Sequence, residues 1–446
     1  MDFFKIIYFL FFCSTSGLLF SQIRQDTNWH DTNGKVPKEI FFIDELDRKQ
    51  GAYCSFFSNG KFEKCGNFVD NERDSIWHFY EESGFLALKV QYENGLRNGQ
   101  EVEYSSKGGI IYLCQWKQGK KDGKCYSYTT DGNVEAEMNY KEGLLQGEVF
   151  RYHPNGKIHQ ISTYQDDAMN GKFESWYPEG KLETNGFYLQ GEKDSIWELY
   201  FPNGLLKSRG EYQDGLISGA ITVFDSTGKP AQKVTWSKGA RNGPYEKYFD
   251  NGFIAESGFY ADNLLNGMVI EFYSNGEVKA KVPFVMGKIS GKVEKFDTAG
   301  TLVESVTWDS GIQNGEYRRY FKNGNVSEEI TYRYGTEEGP YTLYHKNGKR
   351  AQTGVYRAGE LQPEIHFFDE KGILSATGQV KDDLQDGFWK FYYPSGSLQS
   401  EGTFVKGVRT GEWKFFDEKG NVISEPINAF EKIENSKMQN DSKNEF

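Results

Sequence analysis

Past its first two dozen residues the sequence has no long apolar run and no basic excess, and the whole chain has only six His and five Cys. No later segment approaches ~18 consecutive apolar residues, so the mature chain is expected to have no spanning helix. Net charge is −12, with Lys and Arg interspersed among Asp and Glu. Phosphate binding needs a basic face or stripe, so nucleic acid is not an expected partner. Electrostatic docking to anionic lipid is disfavoured on the same ground. The six histidines, His30, His78, His153, His159, His345 and His366, read as sharing no recurring position, and none sits in a zinc-protease or hydrolase motif. Asp and Glu fall at variable positions and read as a solvated face. No catalytic residue, metal ligand or cofactor is assigned, and the chain reads as non-enzymatic.

Hydrophobic residues are also few, at 37%, yet the chain holds 50 Gly, 9 Trp, 28 Tyr and 35 Phe. Rings and glycines without a large Leu and Val complement favour short strands and tight turns over helices. Residues 1–21 differ in kind. Lys5 precedes the apolar run Ile6 to Phe12, and Ser14, Thr15, Ser16 and Gly17 interrupt it before Leu18 to Phe20. This pattern predicts a signal peptide cut after Ser21, and hence export to the periplasm, the outer-membrane periphery or the medium. Phe12 before Cys13 argues against a lipoprotein signal.

From Gly51 the sequence repeats every 24 residues, sixteen times, without insertion or deletion. Counting Gly51 as offset 0, offset 9 is always glycine: Gly60, Gly84, Gly108, Gly132, Gly156, Gly180, Gly204, Gly228, Gly252, Gly276, Gly300, Gly324, Gly348, Gly372, Gly396 and Gly420. Offset 5 is always aromatic, as in Phe56, Trp176 and Tyr200, and offset 17 is aromatic except at Val380. Offset 15 is small or aliphatic, often Gly, which leaves space for a neighbouring ring. Offset 20 is Gly except at Asn71, Asp167, Asn263 and Asp383, the residue types that next best tolerate a positive φ. Offsets 9 and 20 are therefore turn positions. Pro154-Asn155-Gly156 and Pro202-Asn203-Gly204 suit a type I turn closed by a glycine bulge. Strands are expected at offsets 1–6 and 11–17, with the second turn at 18–23. The expected fold is all-β, an elongated array of antiparallel β-hairpins over residues 51–424. A single hairpin is marginal, so each leans on its neighbours.

Across a unit boundary the pattern is that of Phe404, Gly407, Gly411, Trp413, Phe416 and Gly420, or of Tyr188, Gly191, Trp197 and Tyr200 with Ser195 in place of one Gly. It closely resembles the MORN repeat, in the bacterial form grouped with the YwqK-type antitoxin family. The resemblance covers about five-sixths of the chain and implies hairpin arrays that serve as interaction or attachment surfaces. No antitoxin role is carried over. Residues 22–50, with Trp29, Asn33-Gly34 and Ile40 to Ile43, suggest a degenerate cap, and residues 425–446 a disordered polar tail.

Three site candidates remain. Cys54 and Cys65 stand on the two strands of one hairpin, and Cys114 and Cys125 flank a turn between units. In an exported protein the pairings 54–65 and 114–125 are favoured, with four unpaired thiols as the alternative. Asp70-Asn71, Asp166-Asp167, Asp262-Asn263 and Asp382-Asp383 could ligate calcium, but turn geometry explains them more simply. Recurring rings read as core, while the offset-4 rings Phe79, Phe367, Phe391 and Phe415 read as surface candidates for glycan binding. The expected partner is a protein, or alternatively a glycan, for an array in or beyond the cell envelope.

Overall fold

A computed structural model describes residues 23–30 and 34–425. Residues 1–21, the expected signal peptide, and the residues beyond Glu425, the expected tail, lie outside the described residues. Among the described residues there are 38 strands and no helix. The molecule divides into two compact units, residues 1–216 and 217–446. Within each, strands pair antiparallel with strands next to them in the chain.

One repeat shows how the sequence produces the hairpin. The strand Phe62–Val69 turns into Glu72–Tyr80, which turns into Leu86–Glu93. At the turn between Phe56 and Phe62, ahead of these strands, the Phe57 N–H donates to Lys61 O at 2.8 Å, and the Gly60 N–H to Phe57 O at 2.9 Å. Gly60 has φ +84°, so offset 9 closes a type I turn with a glycine bulge, as the sequence requires. Pro154 takes the first central position of the equivalent turn, where its fixed φ fits and no N–H is needed: Gly156 N–H bonds His153 O.

The second turn is tighter than the sequence suggests. Val69 pairs with Glu72, leaving only Asp70 and Asn71 in the loop, both with positive φ (51° and 69°). This is a type I′ turn, whose twist matches that of the strands it joins. Strand one therefore begins at offset 21 of the preceding unit rather than at offset 1, and ends at offset 5. Offset 19 is forced left-handed along with offset 20, even where it carries Gln118, Met286 or Tyr334 (φ 48–52°).

The deepest column is offset 2, not offset 5. Trp77, Tyr245, Ile365 and Trp389 occupy it and are almost wholly buried. Each faces offset 15 across the sheet, as Trp77 faces Val90. At four of the offset-15 glycines, the tryptophan of the following unit lies over the glycine. A Cβ on Gly66, Gly186, Gly378 or Gly402 would stand 2.2 or 2.3 Å from the ring of Trp77, Trp197, Trp389 or Trp413. The glycine is required by close approach, not by a turn. The indole N–H groups of Trp77, Trp197 and Trp389 donate to the carbonyls of Asn67, Phe187 and Gln379, so these large side chains are buried without an orphaned donor. Offset-5 rings pack into a separate row with offset 11, as in Phe56, Phe62 and Tyr80.

Ahead of the repeats, Arg24–Trp29 and Pro37–Ile43 form a hairpin. Its second strand pairs with Lys49–Phe56, and Phe41 and Ile43 join the core of the first repeats with Tyr53 and Trp77.

Candidate functional site

Adjacent hairpins are tied at both turn edges. At the first edge, the offset-8 asparagines reach the next turn: Asn155 Nδ2–H donates to Pro178 O at 2.8 Å, and Asn251 to Ser274 O at 2.7 Å. The offset-6 side chain does the same to the next offset-5 carbonyl. His153 Nε2 lies 2.7 Å from Trp176 O, His345 Nε2 3.0 Å from Phe368 O, and Tyr177 OH 2.8 Å from Tyr200 O. His30, ahead of the array, repeats this contact with Phe56 O at 2.7 Å. The histidines thus do recur: His153 and His345 both stand at offset 6, a match the sequence held and the reading above overlooked.

At the second edge, Asn71, Asp167 and Asn263 accept through Oδ1 from the backbone N–H of Lys49, Leu145 and Arg241 in the preceding unit, at 2.7, 2.7 and 2.9 Å. Asp70 and Asp166 accept from Gln50 and Gln146. These Asx pairs bind turn to turn. The offset-4 rings are corrected too. Phe391 and Phe415 are buried at 7% and 5% exposure, and Phe79 and Phe367 pack against core clusters. Offset 4 stands two residues beyond offset 2 on the same strand, so alternation puts both on the core face.

Offset 22 carries a cation in six of fifteen units, Arg73, Arg97, Lys121, Lys193, Arg241 and Arg409, and each lies on a ring. The guanidinium of Arg73 is 4.8 Å from the Trp77 ring centre, and the Lys193 ammonium is 4.2 Å from that of Trp197. Arg97 and Lys121 are two of these, but the offset-2 positions that follow them hold Glu101 and Cys125 instead of a ring. A cavity of about 450 Å³ opens there, lined by Arg97, Glu101, Glu103, Ile111, Tyr112, Trp116, Lys121, Met138 and Tyr140.

Glu101 is 4% exposed and accepts from Arg97 Nη1 at 2.5 Å. Burial pushes its pKa up, against the opposing pull of Arg97. Arg97 lies 4.6 Å from the Trp116 ring centre. Lys121 Nζ donates to Tyr112 OH at 2.9 Å and lies 5.0 Å over the Tyr140 ring. Burial works to lower the Lys121 pKa, but the Tyr112 contact and nearby charges carry it upward overall, so it is held as a cation. The buried indole N–H of Trp116 has no partner among the described residues.

Behind Glu101 the sheet continues in sulfur. Glu101 faces Cys114, and Cys114 faces Cys125 across a type I′ turn. Both cysteines are fully buried, with Cα atoms 4.0 Å apart. Cys54 faces Cys65 with Cα atoms 4.2 Å apart. Among the described residues, no three His, Cys, Asp or Glu side chains gather as a metal site.

Seven segments, 121–142, 145–166, 169–190, 265–286, 313–334, 385–406 and 409–425, match the MORN repeat variant. The chain is thus a tandem array carrying MORN-variant repeats. No curated protein matches it. Among solved structures it aligns with the Tc holotoxin pore of Photorhabdus luminescens at 9% identity, over 89% of this chain and 29% of that one, TM-score 0.15. It also aligns with a TcdB2–TccC3–Cdc42 structure at 11% identity, over 89% of this chain and 26% of that one, TM-score 0.12. A third match, TcdB2–TccC3 without its hypervariable C-terminal region, has 9% identity over 90% and 27%, TM-score 0.14. The chain spans less than a third of each of these chains.

Proposed function

We propose that this chain is a non-catalytic exported repeat protein that acts as a protein-interaction or structural scaffold of the cell envelope. One observation carries the reading: the recurring columns are consumed in building the array. Offsets 9, 19 and 20 make turns, offsets 2 and 15 make the core, and offsets 6 and 8 brace neighbouring hairpins. Columns that vary between units are left to meet partners, as in other arrays with nearest-neighbour stability. MORN-variant repeats, which generally act as interaction modules, support the same reading. In an oxidising compartment Cys54–Cys65 and Cys114–Cys125 would be disulfides.

Affinity purification from native envelope, with residues 22–446 as bait, tests the scaffold. A stoichiometric protein partner is expected; recovery of none from any envelope fraction would overturn it. Intact-mass measurement after alkylation without reductant tests the cysteines, and four modified thiols would refute the pairing.

A further inference from the structure

We propose that the cavity around Arg97, Lys121 and Trp116 is a docking site for a carboxylate of an acidic peptide segment; this rests on the protein-interaction reading above. The site departs from a pairing that recurs in part of the array. At Lys49–Tyr53, Arg73–Trp77 and Lys193–Trp197 an offset-22 cation sits on an offset-2 ring. With Glu101 and Cys125 in the ring positions, the cations remain and the ring is gone.

What the cavity offers is mostly donors. Arg97 has five N–H groups and one side-chain acceptor, Glu101. Lys121 has three and one acceptor, the Tyr112 hydroxyl. Trp116 adds an indole N–H with no partner. The acceptors left among the lining side chains are the Glu103 carboxylate, the second oxygen of Glu101 and the tyrosine hydroxyls, none of which is paired with the indole N–H or the remaining guanidinium donors. A ligand that supplies acceptors is therefore called for, and an ionised carboxylate is acceptor-only, with a geometry suited to a guanidinium.

Charge limits the choice further. Two cations and two carboxylates line the cavity, so a monoanion is tolerated better than a dianionic phosphate. The ring faces argue against a sugar. Trp116 is covered by Arg97, and Tyr112 and Tyr140 by Lys121 at 5.2 and 5.0 Å, so the ring faces turned to these cations are not open for stacking. Ile111 and Met138 suit the aliphatic stem of an acidic side chain instead.

The test is fluorine NMR on the full chain with fluorotryptophan, the Trp116 signal being assigned by its loss in Trp116→Phe. The probes are a short peptide blocked at both ends with internal glutamates, its glutamine counterpart, an unblocked glycine peptide, and glucuronate. The blocked glutamate peptide is expected to shift the Trp116 signal saturably, and the glutamine peptide is not. Lys121→Gln should weaken binding about tenfold without changing thermal unfolding. The double variant Arg97→Gln, Glu101→Gln should weaken it too, while leaving no buried charge unpaired. A shift from the unblocked glycine peptide alone would support the site and place the carboxylate at a chain end. No shift with either peptide carboxylate, an equal shift with the glutamine peptide, tighter binding of glucuronate, or binding unaltered in Lys121→Gln would each overturn the proposal. Co-purification of a partner by Lys121→Gln, in the absence of peptide binding by the parent chain, would sink the pocket and leave the scaffold standing.

Discussion

The stretch around Trp389 and the stretch around Glu101 use the same backbone for opposite ends. At Trp389 the core column is close-packed: the ring lies over Gly378, stacks against Phe367 and Phe391, and its N–H is satisfied by Gln379 O. At Glu101 the same columns carry a buried carboxylate, two cysteines and Met138, and a cavity replaces the ring. The turns and strand register are alike in both. The repeat therefore fixes where side chains stand, and the identity at offset 2 decides between packing and binding.

That contrast can be broken most forcefully at the packed end. Trp389→Ala should destabilise its unit by about 3–5 kcal/mol, read by denaturant unfolding. Next in size, removing the Cys114–Cys125 link by reduction or by Cys114→Ser with Cys125→Ser should cost about 2–4 kcal/mol, if the pair is oxidised as proposed. Unchanged unfolding under reductant would show that sulfur is only filling space. Gly378→Ala puts a Cβ against the indole and should cost about 1–3 kcal/mol, whereas an alanine at an exposed strand position nearby should cost little. The smallest effect lies at the open end. Replacing the buried ion pair by Arg97→Leu with Glu101→Val should change stability by no more than about 1 kcal/mol, or raise it, because burial of the pair offsets its attraction. A large loss there would mean the charged pair, not the array, holds that stretch together.

Much of the fold was legible because backbone geometry left no choice. Gly60 and its fifteen equivalents, and the Asn71 or Asp167 exceptions at offset 20, report a φ requirement directly. Offset 15 was also legible, since a glycine such as Gly186 makes room for a ring. Offset 19 was not, because Met286 and Tyr334 give no hint of a left-handed backbone. Sheet twist imposes the type I′ turn over their local preference. The offset-4 rings were misread as surface because the column is aromatic in only some units, although alternation along the strand puts it on the core face with offset 2. Offset 2 was invisible as a column because Trp, Val, Tyr, Cys and Glu all occupy it, and this variety is what makes the site. Arg97 and Lys121 could have been found by asking which offsets recur as cations ahead of a ring, as Arg73, Lys193 and Arg409 do.

The central claim is that packing and binding are separable on this repeat. The most direct measurement sets Lys121→Gln beside Trp389→Ala and reads both thermal unfolding and glutamate-peptide binding. The account predicts that Lys121→Gln loses binding with an unchanged melting temperature. It also predicts that Trp389→Ala lowers the melting temperature and binds as the parent does below it. Equal loss of both properties in both variants would contradict it.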